Sequence, residues 1–131
     1  MSVTITITGA EEIVRRLDNA TATQTLQRAV MRSVNLLANR MAKYPPARAG
    51  SSYVRTGTLG RRWTTEVKTM SDRVQGKVGN NTVYGPWVQS KLFQATIHRG
   101  RWQTDQDVMD RELPRIEGYF REELNRALEG R

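Results

Sequence analysis

The sequence contains no cysteine and only one histidine among its 131 residues. Without cysteine there are no disulfides and no thiolate chemistry, and a zinc site would need ligands that this chain lacks. A reducing compartment is compatible with this composition. No window approaches about eighteen apolar residues, so no membrane span is expected. The opening MSVTITITG lacks the basic and apolar regions that are typical of a signal peptide.

Apolar and aromatic residues are also scarce. Hydrophobic residues make up 37% of the chain, only 7% of the residues are aromatic, and the mean hydropathy is -0.64. A chain of this length fits one domain, and we expect residues 1–131 to form a single unit. Because the expected core is thin, part of the stabilising contact is expected to come from neighbouring subunits.

Positive charge is plentiful, with a net charge of +8, but it is unevenly distributed. Residues 1–43 carry six basic and three acidic groups, residues 44–104 carry ten and two, and residues 105–131 carry five and eight. The middle of the chain is therefore a positive block and the C-terminal part is acidic. Three interpretations are open: a phosphate-facing surface, a positive face that meets the negative face of another copy, or an ordinary solvated surface.

Residue periodicity predicts an α+β domain, in which two long amphipathic helices pack on a small, mostly antiparallel sheet. Residues 3–7 alternate with period two and predict a strand, and a short amphipathic helix is expected at about 10–18. The segments 62–70 and 73–79 predict a hairpin that turns at Ser71-Asp72.

The first long helix is predicted to run to about Lys43. Thr21 and Gln24 fit a capping box at its start, and Pro45-Pro46 would end it, because proline donates no backbone hydrogen bond. Its apolar stripe, at steps of three and four, consists of Leu26, Val30, Ser33, Leu37 and Met41.

The second long helix is predicted over about 105–129, with Thr104 as its cap. Pro114 either kinks this helix or marks its first turn. Between the helices lie a long loop at 44–60, rich in Pro, Gly and Ser, and a short helical turn that opens at Pro86. The apolar stripe of the second helix consists of Met109, Leu113, Ile116, Phe120, Leu124 and Ala127.

No arrangement of residues indicates catalysis or metal binding. His98 lies in a basic segment with its nearest following acids at Asp105 and Asp107, so a structural hydrogen bond is its expected role. Ser51-Ser52 has no basic partner for nucleophilic catalysis, and RTGTLG lacks the lysine–hydroxyl pair of a phosphate-binding loop. We therefore expect a protein that is not an enzyme and that has no metal and no cofactor.

The acids of the C-terminal helix are expected on its solvated face. Asp107, Asp110 and Glu117 lie at helical spacing outside the apolar stripe. The neighbouring cations lie at distances that suit ion pairs with these acids. They are Arg111, Arg115 and Arg121.

Residues 84–103, YGPWVQSKLFQATIHRGRWQ, combine aromatic rings, the histidine, a Gly-Pro pair and several cations without a regular period. This stretch and two others resemble, in their order, the small tail-component, or tail-completion, family of long-tailed bacteriophages and prophages. An aromatic residue and R-T-G-x-L follow the first long helix, Y-[AG]-P-[YW]-V-[EQ] follows a hairpin, and HRGRWQT precedes the terminal helix. The matching positions are Tyr53, Arg55, Thr56, Gly57, Leu59, Tyr84, Gly85, Pro86, Trp87, Val88 and Gln89.

The resemblance covers roughly residues 10–129, with one departure. The family often has glycine soon after the [EQ] position, whereas this chain has Ser90-Lys91. The resemblance implies a structural virion protein of the phage neck or tail, which passes through the host cytoplasm during assembly. Such a protein forms a homo-oligomeric ring that joins the head connector or adaptor to tail tube or terminator proteins.

A ring requires a heterologous interface, and the positive middle and acidic C-terminal helix offer two unlike patches on one chain. Large aromatic residues and arginine dominate interface energetics, which favours the 84–103 stretch as a docking surface. The residues that we expect to form the interface are Tyr53, Arg55, Gly57, Leu59, Tyr84, Trp87, Arg99, Arg101 and Trp102. Within this set Arg55, Gly57 and Leu59 are expected to position the loop.

The alternative is a small basic DNA-associated phage protein that contacts the genome in the connector channel. Arg99, Arg101 and Trp102 would combine phosphate contacts with a stacking ring. However, no predicted helix has basic residues along one face, and no recognised nucleic-acid-binding signature is present. The charge alone predicts nonspecific DNA contact. A third interpretation, a nuclease, would require metal-dependent activity that the acids give little reason to expect.

Overall fold

The computed structural model describes residues 3–8, 19–46, 57–70 and 73–129, and it is an α+β fold as predicted. None of its helices, over these residues, is long and apolar enough to cross a bilayer. The elements, in chain order, are β1 (Val3–Thr8), α1 (Asn19–Met41), α2 (Thr58–Arg61), β2 (Trp63–Thr69), β3 (Val74–Asn80), α3 (Gly85–Gln89), a 3-10 turn (Thr96–His98) and α4 (Asp105–Glu129).

The three strands form one antiparallel sheet in the order β1-β3-β2. Val78 of the central strand lies opposite Ile5 of β1 and opposite Thr65 of β2. The predicted first strand and hairpin are therefore confirmed. The turn residues of the hairpin, Ser71-Asp72, lie outside the described residues.

One face of the sheet packs on the helices. In β3, alternate residues Val74, Gly76 and Val78 are buried, as expected for a strand with one face on the core. Trp63 and Val67 of β2 are partly buried and pack on the same core. The opposite face of these two strands carries polar residues, and the described helices pack on the other face.

The predicted apolar stripe of α1 is confirmed, because each of its five residues is 3% exposed or less. α1 lies across the sheet and also packs along α4. Because α1 packs on both the sheet and α4, it needs a wider buried surface than one stripe provides. Further buried residues of α1 supply it: Ala22, Ala29, Val34 and Leu36.

The start of α1 differs from the prediction, whereas its end agrees with it. α1 is already helical at Asn19, so Thr21 lies inside the helix and the predicted capping box is wrong. α1 ends at Met41, before Pro45. Two glutamine amides donate to carbonyls of the last turn of α1, where the helix leaves carbonyls without a regular helical partner. Gln89 donates to the Met41 carbonyl at 3.0 Å, and Gln103 donates to the carbonyl of Arg40.

α4 has the predicted bounds and the predicted cap. The Asp107 amide donates to Thr104 Oγ1 at 3.1 Å, and the Thr104 amide donates to Asp107 Oδ2 at 2.9 Å. This reciprocal pair is a capping box with aspartate in place of the usual glutamate. Pro114 lies inside the helix and does not mark its first turn.

Replacing Thr104 by alanine is expected to lower the free energy of unfolding by about 1 kcal/mol, because the Asp107 amide loses its acceptor. Chemical denaturation followed by circular dichroism measures this change. Thr104→Ser keeps the hydroxyl and is the matched control, for which we expect stability close to that of the wild type. Equal stability of Thr104→Ala and the wild type would contradict the capping role.

The core-facing side of α4 agrees with the predicted stripe at five of its six positions, which are buried or packed against the core, and departs from it at Leu113. Ile116 is buried as expected, whereas Leu113 is 42% exposed. Val108, Glu112 and Glu123 are buried on this side. Two carboxylates are tolerated there because arginines of α1 pair with them, as buried charges require.

The arginines of α1 bind both buried carboxylates of α4. Arg32 contacts Glu123 at 3.3 Å and Glu122 at 2.7 Å, and Arg40 contacts Glu112 at 3.0 Å. The Arg32 guanidinium also lies 4.1 Å from the centre of a tyrosine ring on α4, Tyr119. Part of the acidic charge of the C-terminal helix is therefore balanced inside the domain.

The ion pairs of Arg111 and Arg115 also involve a different acid from those expected. Both contact Glu112, at 3.6 Å and 3.9 Å. The predicted partners Asp110 and Glu117 form no ion pair with a described residue.

Two predicted segments fall partly or wholly outside the described residues. The predicted helix at 10–18 lies outside the described residues, and so do residues 47–56 of the predicted loop at 44–60. The end of that loop is helical, because 58–60 belong to α2. The loop is therefore shorter than predicted at this end.

Candidate functional site

Large apolar side chains are exposed mainly in one segment. Eight such side chains are exposed among the described residues, and six of the eight lie between residues 83 and 97. Clusters of this kind mark interaction sites in soluble proteins. We call this cluster the 83–97 surface. It consists of Val83, Tyr84, Trp87, Leu92, Phe93 and Ile97.

The centre of this surface is Trp87. Its side chain is 52% exposed, because the neighbouring α3 residues Pro86, Val88 and Gln89 are turned inward. The Trp87 ring meets that of Phe93 edge to face, with 6.5 Å between the ring centres. Such pairs orient both rings and fix their shared surface.

The turn that leads into α3 is held by Asn80. Its Oδ1 accepts hydrogen bonds from the amide and the hydroxyl of Thr82, at 3.0 Å and 2.7 Å. Its Nδ2 donates to the carbonyl of Leu59 at 2.8 Å. Gly85 follows without a side chain, and a Cβ there would lie 2.7 Å from Thr82 Oγ1. The structure thus brings Leu59 of the R-T-G-x-L motif next to the Y-G-P-W motif, which is distant in sequence.

Three glutamines fasten the rest of the segment to the domain. Gln89 is fully buried and connects α3 to the end of α1. Gln94 donates to the carbonyls of Val88 and Trp102, at 2.7 Å and 2.9 Å. Gln103 accepts a hydrogen bond from Arg111 at 2.7 Å. Gln89 and Gln103 lie within motifs quoted above, whereas Gln94 lies in none of them.

Arg101 and Trp102 lie against the chain that follows α1. The Arg101 guanidinium donates to the Pro46 carbonyl at 3.1 Å. Trp102 is partly buried, with its ring centre 5.0 Å from that of Tyr44 and 6.4 Å from that of His98. Both predicted contact residues therefore also have a role inside the domain.

The remaining predicted site residues differ in where the structure places them. Gly57 has φ +77°, a left-handed conformation that favours glycine, and begins α2. Leu59 is only 4% exposed, so its side chain supports the fold beneath α3. Tyr53 and Arg55 lie outside the described residues, whereas Arg99 is exposed.

Cations border the 83–97 surface. Lys91 and Arg99 are exposed and line a cleft of about 470 Å³ with Gln94, Gly100, Thr104 and Asp107. The side chains of these two cations form no ion pair with another described residue. The surface is therefore aromatic and aliphatic, with positive charge at its edge.

The described residues contain no group of three or more His, Cys, Asp or Glu side chains that could hold a metal ion. The backbone amide of His98 donates to the Ala95 carbonyl at 2.9 Å, within the 3-10 turn. Comparison of the chain with protein-family models, with curated proteins and with solved structures gives no match.

Proposed function

We propose that this chain is a structural virion protein of the neck or tail of a long-tailed bacteriophage or prophage. In this role it assembles into a ring and joins the capsid connector to the tail tube, without catalysis. The observation that carries the proposal is the 83–97 surface, which exposes six large apolar side chains within one short segment. The motif order described above supplies the link to phage tail completion.

The way in which this surface is supported also favours a docking role. Asn80 and Gln89 hold its backbone through hydrogen bonds to α2 and α1, and Gln94 donates to the carbonyls of Val88 in α3 and of Trp102 ahead of α4. A surface held in one conformation loses little entropy when it binds, so more of its contact energy contributes to affinity. Aromatic anchors with a positive border are the residue types that dominate interface energetics.

Replacing Trp87 by alanine is expected to weaken self-association roughly 30-fold, the effect of losing about 2 kcal/mol at an interface anchor. Sedimentation velocity over a concentration series measures the association. Because Trp87 is half exposed, the melting temperature should change little. Met31→Ala, which removes another exposed apolar side chain (46% exposed) on α1, is the matched control and should associate as the wild type does.

A complementation experiment tests the role in the particle. A phage that lacks this gene, supplied with the Trp87→Ala chain, is expected to accumulate separate heads and tails. Normal infectious particles from this variant would contradict the proposal, as would turnover of a substrate by the purified protein.

Measurement of DNA binding as a function of salt concentration distinguishes the proposed structural role from the alternative, a DNA-associated protein. Weak, nonspecific binding agrees with a structural role in a chain of charge +8. Specific binding with a steep salt dependence would instead indicate a DNA-associated protein.

A further inference from the structure

The outer flank of α4 has an exposed apolar residue between two acids. Leu113 is 42% exposed, and Asp110, Pro114 and Glu117 beside it are exposed as well. Positions three and four residues apart are neighbours on a helix surface, so these side chains form one strip about 10 Å long. We call these four residues the acidic flank.

The two carboxylates of the acidic flank form no ion pair with the described part of the chain. Glu117 makes no ion pair with another described residue, and Asp110 accepts a hydrogen bond only from the neutral amide of Gln106, at 2.8 Å. The nearby Arg111 and Arg115 contact Glu112 instead. The flank therefore combines an aliphatic side chain with two available negative charges.

The 83–97 surface has the complementary character. It contains the Trp87–Phe93 ring pair, and at its edge Lys91 and Arg99 line a cleft with Asp107. The Lys91 amide donates to Asp105 Oδ1, but the side-chain charges of Lys91 and Arg99 form no ion pair with a described carboxylate. Two copies of the 83–97 surface facing each other would bring like charges together. Contact between this surface and the acidic flank would instead pair unlike charges, which sets register and orientation.

We propose that the acidic flank of one copy docks on the 83–97 surface of the next copy. Leu113 would lie against the Trp87–Phe93 pair, with Asp110 and Glu117 facing Lys91 and Arg99. The contact joins two different patches and is therefore heterologous, the type that generates rings. This inference rests on the proposed self-assembly and identifies the two faces that meet.

A charge-exchange experiment tests the contact. One variant carries Asp110→Lys and Glu117→Lys, and the other carries Lys91→Glu and Arg99→Glu. In each variant the two faces have charge of the same sign, so self-association should weaken about tenfold or more. An equimolar mixture should regain association, because each positive flank then meets a negative surface and each negative flank meets a positive one.

The control is a variant with the same charge change at positions remote from the flank, Glu66→Lys with Glu129→Lys, which should associate as the wild type does. Failure of the mixture to regain association would overturn the assignment of the two faces. If both charge variants associate normally while Trp87→Ala does not, the flank is the wrong partner and the proposed function stands. If Trp87→Ala also associates normally, self-assembly through this surface is itself wrong.

Discussion

Replacing Arg32 by methionine is expected to lower the free energy of unfolding by roughly 2–3 kcal/mol. Glu123 is 3% exposed, and Arg32 is its partner from α1. Without the Arg32 guanidinium, the buried Glu123 carboxylate would keep one ion-pair partner among the described residues, Arg126 at 3.3 Å. The Arg126 side chain is 65% exposed. We place the loss below the range for fully buried pairs because Arg32 is itself 35% exposed and therefore partly screened.

Urea denaturation measures this loss, and Arg28→Met on the exposed side of the same helix is the matched control. The double variant Arg32→Met with Glu123→Leu should recover most of the stability, because apolar residues replace a buried pair without leaving a lone charge. Equal stability of Arg32→Met and Arg28→Met would show that the ion pair does not hold α1 against α4.

The stabilisation that Arg32 provides should persist from neutral to moderately alkaline pH. The hydrogen bond to Glu122 is the largest cause that raises the pKa of Arg32 above its ordinary value. A raised pKa in the folded state stabilises the fold below the ordinary arginine pKa, and this contribution is lost only as the pH rises through the folded value. Arg32 therefore stays charged at neutral and moderately alkaline pH.

Replacing Gly76 by alanine is expected to destabilise the fold by about 3 kcal/mol, the upper part of the range for overpacked cores. A Cβ at this position would lie 2.5 Å from the Cγ1 atoms of both Val30 and Val34. Both valines are fully buried, so neither methyl group has free space to enter. α1 would have to move away from β3.

Thermal denaturation followed by circular dichroism measures this effect. Gly118→Ala is the control, because a Cβ there meets nothing within 4 Å and alanine favours helix, so a small gain in stability is expected. In a double-mutant cycle, Val34→Ala should cost less in the Gly76→Ala background than alone, since it removes one of the two overlaps. Strict additivity would contradict the overlap.

The sequence was sufficient for the elements that have a strong period. The stripe of α1 and the bounds of α4 follow from spacing alone, because an amphipathic helix on a core must repeat its apolar residues every three or four positions. Leu113 shows the limit of this reasoning. A stripe drawn through apolar residues assigned it to the core, whereas Glu112 and Glu123 are buried because arginines of α1 reach them.

The candidate site was predictable only in part. The aromatic residues of 84–103 indicated an interaction surface, and the structure exposes Trp87 and Tyr84 there. The supports of this surface depend on contacts between distant segments, such as Asn80 with Leu59 and Gln103 with Arg40. A single sequence carries no period for such contacts, so the residues that hold the site could not be identified before the fold was known.

The side-chain amides at the end of α1 have a mechanical consequence. Gln89 and Gln103, which follow Trp87 in the segment 84–103, donate hydrogen bonds to the carbonyls of the final turn of α1. A force applied to that segment would therefore be transmitted through these hydrogen bonds to α1 and to α4, which packs along it. In the joining role proposed above, such stiffness would limit movement between the two assemblies that the chain connects.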